Sequence, residues 1–431
     1  MHRRTLLASL VTLPFAAPLL AQAAQIGVNT PFPPLSPERI KAIAPAAEQA
    51  AWLDYLTRSQ AQLAADQAAL MAERKGLSII PADPKTGDGE KTMPLDKPVE
   101  WYASAEGRKV ADNIVSFQTP AGGWGKNQPH DSEPRAKGQH FVAGNSLQTK
   151  PAGDFDAPTV PGWSYVGTID NGATITETRF LALAFNATQD VRYRDAAIRG
   201  LTYLLNAQFP NGGWPQVWPL MGGYHDAMTL NDNAMISVSR LVGDAGRGET
   251  GFAFLPGDLR TRLLAAEQRA LTVFLKSQVV IDGKLTMWAQ QYDALTLTPS
   301  SARNYEMPSL SSSESGSLLV YLMKQPNPSA EMKAAIVAGV ATLEATKIEG
   351  KAFEKTPDGK DRLLVDKPGA GPIWARYYDL KTMKPIFGNR TKTLHDTIND
   401  VEPERRRGYS WFGSGPQSAL KAYVAWKAKH G

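Results

Sequence analysis

The 431-residue chain contains no cysteine, so disulfides, zinc–thiolate sites, iron–sulfur clusters and thiol catalysis are all excluded. A chain of this size builds a core without covalent staples, and the missing disulfides therefore do not argue against export. Long apolar runs are also scarce. The one such run is N-terminal, at residues 6–20, and is broken by Pro14 and Pro18, which excludes a multi-span membrane protein. No basic tract runs along the sequence, so nucleic acid is not an expected partner. Neither a Walker loop nor a G-x-G-x-x-G fingerprint occurs, and the serine-rich stretch 309–317 holds no G-x-S-x-G elbow. The six histidines show no metal-ligand spacing; His225, in a polar segment, is expected to be a structural residue near the cleft. With 42% hydrophobic and 21% charged residues, the composition is that of a globular protein, not a disordered or collagen-like chain.

The N-terminus reads as an address. Arg3 and Arg4 precede the apolar stretch, and Ala21-Gln22-Ala23 is a small-x-small cleavage site, so residues 1–23 are expected to be a removed signal peptide. Arg3-Arg4-Thr5-Leu6-Leu7 is similar to a twin-arginine export signal. A secreted or periplasmic protein with no membrane attachment after signal removal follows. Loss of Arg3 and Arg4 leaves 45 basic against 42 acidic residues, a net of +3.

Residues 24–99 form a leader, helices and a connection. Ser36-Pro37 is an N-cap followed by a proline at the first helical position, and the Ala-, Leu-, Gln- and Glu-rich run to Lys75 is helical in character. Pro81, Pro84, Gly87, Gly89, Pro94 and Pro98 mark residues 78–99 as extended. This region is expected to be an appendage packed on a main domain at 100–431.

The main domain carries an internal repeat. Gln118-Thr119-Pro120-Ala121-Gly122-Gly123-Trp124 matches Gln208-Phe209-Pro210-Asn211-Gly212-Gly213-Trp214, 90 residues later, as Q-x-P-x-G-G-W. Each copy follows an amphipathic stretch, with Val110, Ile114 and Phe117 on one face before the first and Ala197, Leu201, Leu204 and Leu205 before the second. A decayed third copy runs from Gln278 to Trp288 after Leu263, Ala266, Ala270 and Phe274. Further helices are expected at about 173–187, 231–243, 313–325, 329–347 and 415–429. Helices closed by Gly-Gly turns, each with a Trp folded over the helix terminus, are what repeated helix pairs require. Strand-like alternation is sparse. The expected fold is mainly α, an α/α toroid (an incomplete α/α barrel) with an N-terminal helical appendage and long irregular loops.

Four polar loop segments are where chemistry is expected. Asp170 and Asn171 lie at a helix entrance, and Asn231-Asp232-Asn233 at another. Both segments suit helix capping, and both suit a hard cation such as Ca2+ held by few protein oxygens and completed by water or substrate. If both helices line the inner ring, Asp170, Asn171 and Asp232 converge on one rim. The third segment offers Arg303, Tyr305 and Glu306. The fourth interleaves Arg376, Arg390, Arg405, Arg406 and Arg407 with Tyr377, Tyr409 and Trp411. Bidentate guanidinium groups with aromatic platforms suit an anionic sugar polymer, while Glu402 and Glu404 offer ion-pair partners to Arg405, Arg406 and Arg407.

Taken together, Thr168-Ile169-Asp170-Asn171-Gly172-Ala173-Thr174, Asn231-Asp232-Asn233-Ala234-Met235, Tyr305-Glu306-Met307-Pro308-Ser309-Leu310-Ser311, Pro372-Ile373-Trp374-Ala375-Arg376-Tyr377-Tyr378 and Arg405-Arg406 with Gly408-Tyr409-Ser410-Trp411 form an ordered set. In this set the sequence resembles the pectate lyases of polysaccharide lyase family 10, over about residues 40 to 425. The resemblance implies an α/α toroid and calcium-dependent β-elimination of α-1,4-polygalacturonate (pectin) to 4,5-unsaturated oligogalacturonides. It implies an arginine base, best matched by Arg390, and calcium held by Asp170, Asn171 and Asp232. Substrate carboxylates would be gripped by Arg303, Arg376, Arg405 and Arg406, with Tyr305 and Tyr409 shaping the cleft. The family's Asn-Asp-Asp pattern reads Asn231-Asp232-Asn233 here, so position 233 brings no charge. Activity rising into alkaline pH and a monomer are expected. The alternatives are an inverting glycoside hydrolase on an acidic polysaccharide, with Asp170 and Asp232 as its carboxylates, and a non-catalytic binder of acidic oligosaccharides that needs no Arg390.

Overall fold

A computed structural model describes residues 25–143, 153–157 and 167–430; the expected signal peptide lies outside the described residues. Two helices come first, α1 (Pro37–Ile43) and α2 (Ala46–Arg74). As the sequence dictates, α1 opens on Ser36, whose Oγ accepts the Arg39 amide at 3.2 Å, with Pro37 at the first helical position. These helices share the main core: Trp52 and Tyr55 pack on Phe209, and the Tyr55 hydroxyl donates to the Ala207 carbonyl at 3.0 Å. Residues 78–98 are irregular apart from one short turn of helix at Glu90–Thr92.

The body is a double layer of helices. The outer layer is α4 (Ala105–Phe117), preceded by the short α3 (Val99–Ala103), then α6 (Val191–Ala207), α8 (Gly257–Lys276) and α10 (Ala330–Ala345). The inner layer is α5 (Ile175–Thr188), α7 (Ala234–Arg247), α9 (Ser312–Met323) and α12 (Gln417–His430). A five-residue α11 (Pro403–Arg407) lies between α10 and α12. Each outer helix packs on its inner partner and on the next outer helix, and α5, α7, α9 and α12 pack in series. This is an α/α toroid, not a closed barrel. Apolar residues around most of α7, from Ala234 to Ala245, explain its place between layers.

The repeat sets this architecture residue by residue. After α4, the Gln118 side-chain amide donates to the Gly122 carbonyl at 2.8 Å and to Ala196 of α6 at 2.9 Å. After α6, Gln208 donates to Gly212 and to Ala266 of α8, both at 2.9 Å. After α8, Gln278 donates to Thr286 at 2.7 Å and to Ala335 of α10 at 3.0 Å, so the decayed third copy is real. Each glutamine thus closes its own turn and stitches one outer helix to the next. Gly122 and Gly212 have φ of +101° and +100°, and a Cβ there would sit 2.7 and 2.5 Å from the carbonyls of Arg199 and Arg269. The tryptophans finish the device. Trp124, Trp214 and Trp288 donate their indole N–H to Ile114, Leu204 and Phe274, carbonyls left unpaired at the ends of α4, α6 and α8. Trp374 does the same to Leu343 of α10 at 2.7 Å, which reveals a fourth copy.

One element departs from the sequence reading. Lys351–Lys355 and Arg362–Asp366 pair antiparallel as a hairpin turned at Thr356-Pro357-Asp358-Gly359. Its strands are only half-buried, so they carry no strong alternating pattern.

Candidate active site

The four inner helices start at one rim, and the polar turns between each capping tryptophan and the helix after it gather there. Two of these turns are copies of each other. In Thr168-Ile169-Asp170-Asn171 the Thr168 Oγ1 accepts the Asp170 amide at 3.1 Å; in Thr229-Leu230-Asn231-Asp232 the Thr229 Oγ1 accepts the Asn231 amide at 3.2 Å. Asn171 and Asp232 both have φ of +49°, a conformation that Asn and Asp tolerate better than most residues. The turns pack against each other, so Asp170, Asn171 and Asp232 meet on one rim as the sequence suggested.

Their environments differ. Asp170 is buried, and its Oδ2 accepts Lys126 Nζ at 2.6 Å. Burial alone would raise its pKa, but Lys126 and then Arg303 hold it below the usual carboxylate value. Gln216 acts on the same carboxylate in the same direction, and Oδ1 makes no well-formed hydrogen bond. Asn171 is exposed and donates to Asn127 Oδ1 at 2.9 Å. Asp232 is half-exposed, between a cavity of about 490 Å³ edged by Glu90, Asn127, Asn171 and Glu177 and one of about 280 Å³ edged by Glu314, Ser317 and Arg376. Enclosure, with Asp170 and Glu314 nearby, raises the Asp232 pKa despite Arg376. That excess negative charge suits a cation. Among the described residues, no three carboxylate or histidine groups gather closely enough to hold a metal alone. A cation here would be held by Asp170, Asp232 and the Asn171 amide oxygen and completed by water or substrate oxygens, as a hard cation allows.

The arginines separate into two groups. Arg376 enters the cleft, with Nη2 2.9 Å from Glu314 Oε1, 3.1 Å from Asn231 Oδ1 and 3.6 Å from Asp232 Oδ1, and its guanidinium lies 5.0 Å from the centre of the Tyr409 ring. Arg303 is held by Glu306, whose Oε1 is 3.4 Å from Nη1, and by the Tyr305 hydroxyl at 3.3 Å. Glu306 keeps the Arg303 guanidinium charged, and Arg303 in turn acts on both Asp170 and Asp232. The Tyr409 hydroxyl donates to Glu306 Oε1 at 2.7 Å, and the Tyr409 ring meets Tyr305 edge-on at 5.1 Å.

The other three lie further out. Arg390 is half-exposed and pairs through two nitrogens with Glu404, at 3.0 and 3.1 Å, 5.7 Å from the centre of the Tyr305 ring. Arg405 is buried behind Tyr305, 4.4 Å from the ring centre, and donates to the Gly408 carbonyl. Arg406 pairs with Asp361 of the hairpin and donates to the carbonyls of Asn399 and Val401. The structure therefore places Arg406 where it fastens the hairpin, not where it faces the rim. His225 is buried, stacked on Tyr224 with ring centres 3.9 Å apart; burial, and then Lys126, push its pKa well down.

The sequence reading missed Lys126 and Glu314. The repeat held the signal: the residue two beyond the capping Trp is Lys126 in the first copy and Arg376 in the fourth, and each pairs with a carboxylate at the start of an inner helix.

An α/α toroid whose rim gathers arginines, tyrosines and oxygen donors defines a class of enzymes acting on acidic polysaccharides. The comparisons make it specific: residues 118–420 match the family model for pectic acid lyase. The structure is similar to family 10 polysaccharide lyase from Cellvibrio cellulosa, at 32% identity and a TM-score of 0.64, over 79% of this chain and 99% of that one. It is equally similar to a mutant of that lyase in complex with trigalacturonic acid, at 32% identity and a TM-score of 0.63, over 78% and 98%. No curated protein matches the sequence. The chain belongs to the pectic acid lyase family and is a pectate lyase.

Proposed function

We propose that this enzyme cleaves polygalacturonate by calcium-dependent β-elimination, outside the cytoplasm, with Arg303 taking the C5 proton. Family membership supports elimination over the glycoside hydrolase and the binding protein. The solved relative bound to trigalacturonic acid supports an acidic galacturonide as substrate. Calcium bound at Asp170, Asn171 and Asp232 would supply positive charge beside the uronate carboxylate, where elimination accumulates negative charge, and would disfavour the protonated form of a nearby arginine.

The base assignment is supported by the place of Arg303, bound to Glu306, which accepts the Tyr409 hydroxyl beside the Arg376 guanidinium 3.6 Å from Asp232; from there its charge acts on both Asp170 and Asp232. Arg390, the sequence-based choice, is turned to Glu404 at the exposed rim, whereas Arg303 acts on Asp170 and Asp232; a carboxylate, Glu404 or Glu306, favours the charged form of each. Free arginine stays protonated well into the alkaline range, so the base form of Arg303 is scarce near neutrality, and the rate is expected to rise into alkaline pH. Arg376, fixed by Glu314, would orient a substrate carboxylate with its remaining N–H groups, and Lys126 would do so beside Asp170. Tyr305 and Tyr409 form the aromatic wall. The test is the ultraviolet absorbance of the unsaturated end during incubation with polygalacturonate. An absorbance rise abolished by a calcium chelator is expected; new reducing ends without it would overturn the reading.

A further inference from the structure

The loop that carries Arg303 is not held by its own residues alone. Residues 25–32 cross it as a strap, outside the 118–420 region that the family model matches. Gly27 and Val28 pair antiparallel with Leu394 and Thr393, just beyond the turn that bears Arg390. The Asn29 amide then donates to the Lys392 carbonyl at 2.8 Å. The Asn29 side chain, 4% exposed, is the centre of the arrangement. Its Nδ2 lies 3.2 Å from the Arg303 carbonyl, 3.1 Å from Asn304 and 3.1 Å from Glu306, so two hydrogens are shared among three carbonyls of one loop. Its Oδ1 accepts the Thr30 amide at 3.0 Å. Ser301 Oγ donates to the Thr30 carbonyl, and Phe32 is buried with Tyr224, Ala227 and Ala302. From the other side, Asn304 Nδ2 donates to the Arg390 carbonyl at 2.9 Å.

We infer that Asn29 is a positioning residue for the elimination: it fixes the loop bearing Arg303 and Glu306 in the geometry that turnover requires. The inference rests on the proposed role of that loop. A side-chain amide is the group that fits, because it presents two donors to converging carbonyls while its own oxygen closes a local turn. Aspartate has the same shape but would set an oxygen against three carbonyl oxygens. Alanine would leave the Asn304 carbonyl without its donor and take the second donor from those of Arg303 and Glu306, which also accept the Glu306 and Ala302 amides.

The test uses the full mature chain with Asn29→Ala and Asn29→Asp, and reads kcat and KM on polygalacturonate together with hydrogen exchange. The amides of Ala302 and Glu306 are hydrogen-bonded within the loop and report its order. Asn29→Ala is expected to lower kcat by about 10- to 100-fold, the cost of a displacement near 1 Å at a reacting group, with KM little changed. Exchange at residues 302–306 should quicken while the amides of α7 and α9 keep their protection. Asn29→Asp should lower kcat at least as far; if it does not fold, Asn29→Ala decides. An unchanged kcat, or exchange that quickens throughout the chain, would overturn the inference. Full activity in Arg303→Ala would refute the base assignment alone and leave the exchange result to judge the positioning.

Discussion

Asn171 and Asp232 occupy the same position in two copies of one turn, each at φ +49° and each entering an inner helix. Between the copies, Asp and Asn exchange places: Asp170-Asn171 in the first is Asn231-Asp232 in the second. The carboxylates therefore differ in depth. Asp170 sits buried against Lys126, whereas Asp232 faces the cleft, its pKa raised by enclosure and by its acidic neighbours. With calcium bound as proposed, Asp232→Ala is expected to weaken calcium activation by at least about tenfold. Titration of the elimination rate with calcium measures this; an unchanged half-activating concentration would remove Asp232 from the site.

With Arg303 as the proposed base, Glu306 would set the pH at which it loses a proton. Its charge favours the protonated guanidinium, so removing that charge makes deprotonation easier. In Glu306→Gln the alkaline rise in rate is expected to move to lower pH, even if the maximum falls through the weakened Tyr409 contact. A pH–rate profile of the two proteins reads the direction. A shift to higher pH would contradict the assignment.

The tryptophan caps carry stability. Trp214 is buried and donates to the Leu204 carbonyl at 2.7 Å. Truncation to alanine creates a cavity and orphans that carbonyl, and is expected to cost about 3–5 kcal/mol. Trp214→Phe keeps most of the packing and is expected to cost less. Urea unfolding monitored by circular dichroism compares them.

Asp66, on the buried face of α2, is pushed up to about 6 by burial, with Gln62 and the Ala121 amide opposing. Its pKa is raised above the unfolded value, so the folded state gains most at pH below about 4. That gain is lost as pH rises through about 6, when the buried carboxyl must ionise. The size is at most about 3 kcal/mol for a shift of this order. Asp66→Asn should flatten the decline between pH 4 and 7, measured as the denaturation midpoint against pH. A decline equally steep in both proteins would place its origin elsewhere.

Most of the toroid was legible because its rules are local. A glutamine, two glycines and a tryptophan stop α4 and α6, and these two clear copies suffice to announce the repeat. The fourth copy is not legible because Gln and Gly-Gly are gone there and Trp374 comes 31 residues after Leu343, with the hairpin in between, where Trp124 follows Ile114 by 10. The meeting of Asp170, Asn171 and Asp232 on one rim is legible from their places at helix entrances. The partners of the arginines are not, because a long guanidinium side chain and the loop that bears it are placed by residues elsewhere in the chain. Arg406 turns to Asp361 and Arg390 to Glu404, while the loop that carries Arg303 accepts the Asn29 side chain, 274 residues away, at its backbone.

The most direct measurement is the rate of unsaturated-end formation from polygalacturonate, at saturating calcium and alkaline pH, for wild type, Arg303→Ala and Arg390→Ala. The account predicts that Arg303→Ala loses activity by about 10³-fold or more, while Arg390→Ala, which breaks an exposed ion pair with Glu404, falls far less. A near-complete loss in Arg390→Ala with turnover preserved in Arg303→Ala would contradict it and return the base to Arg390.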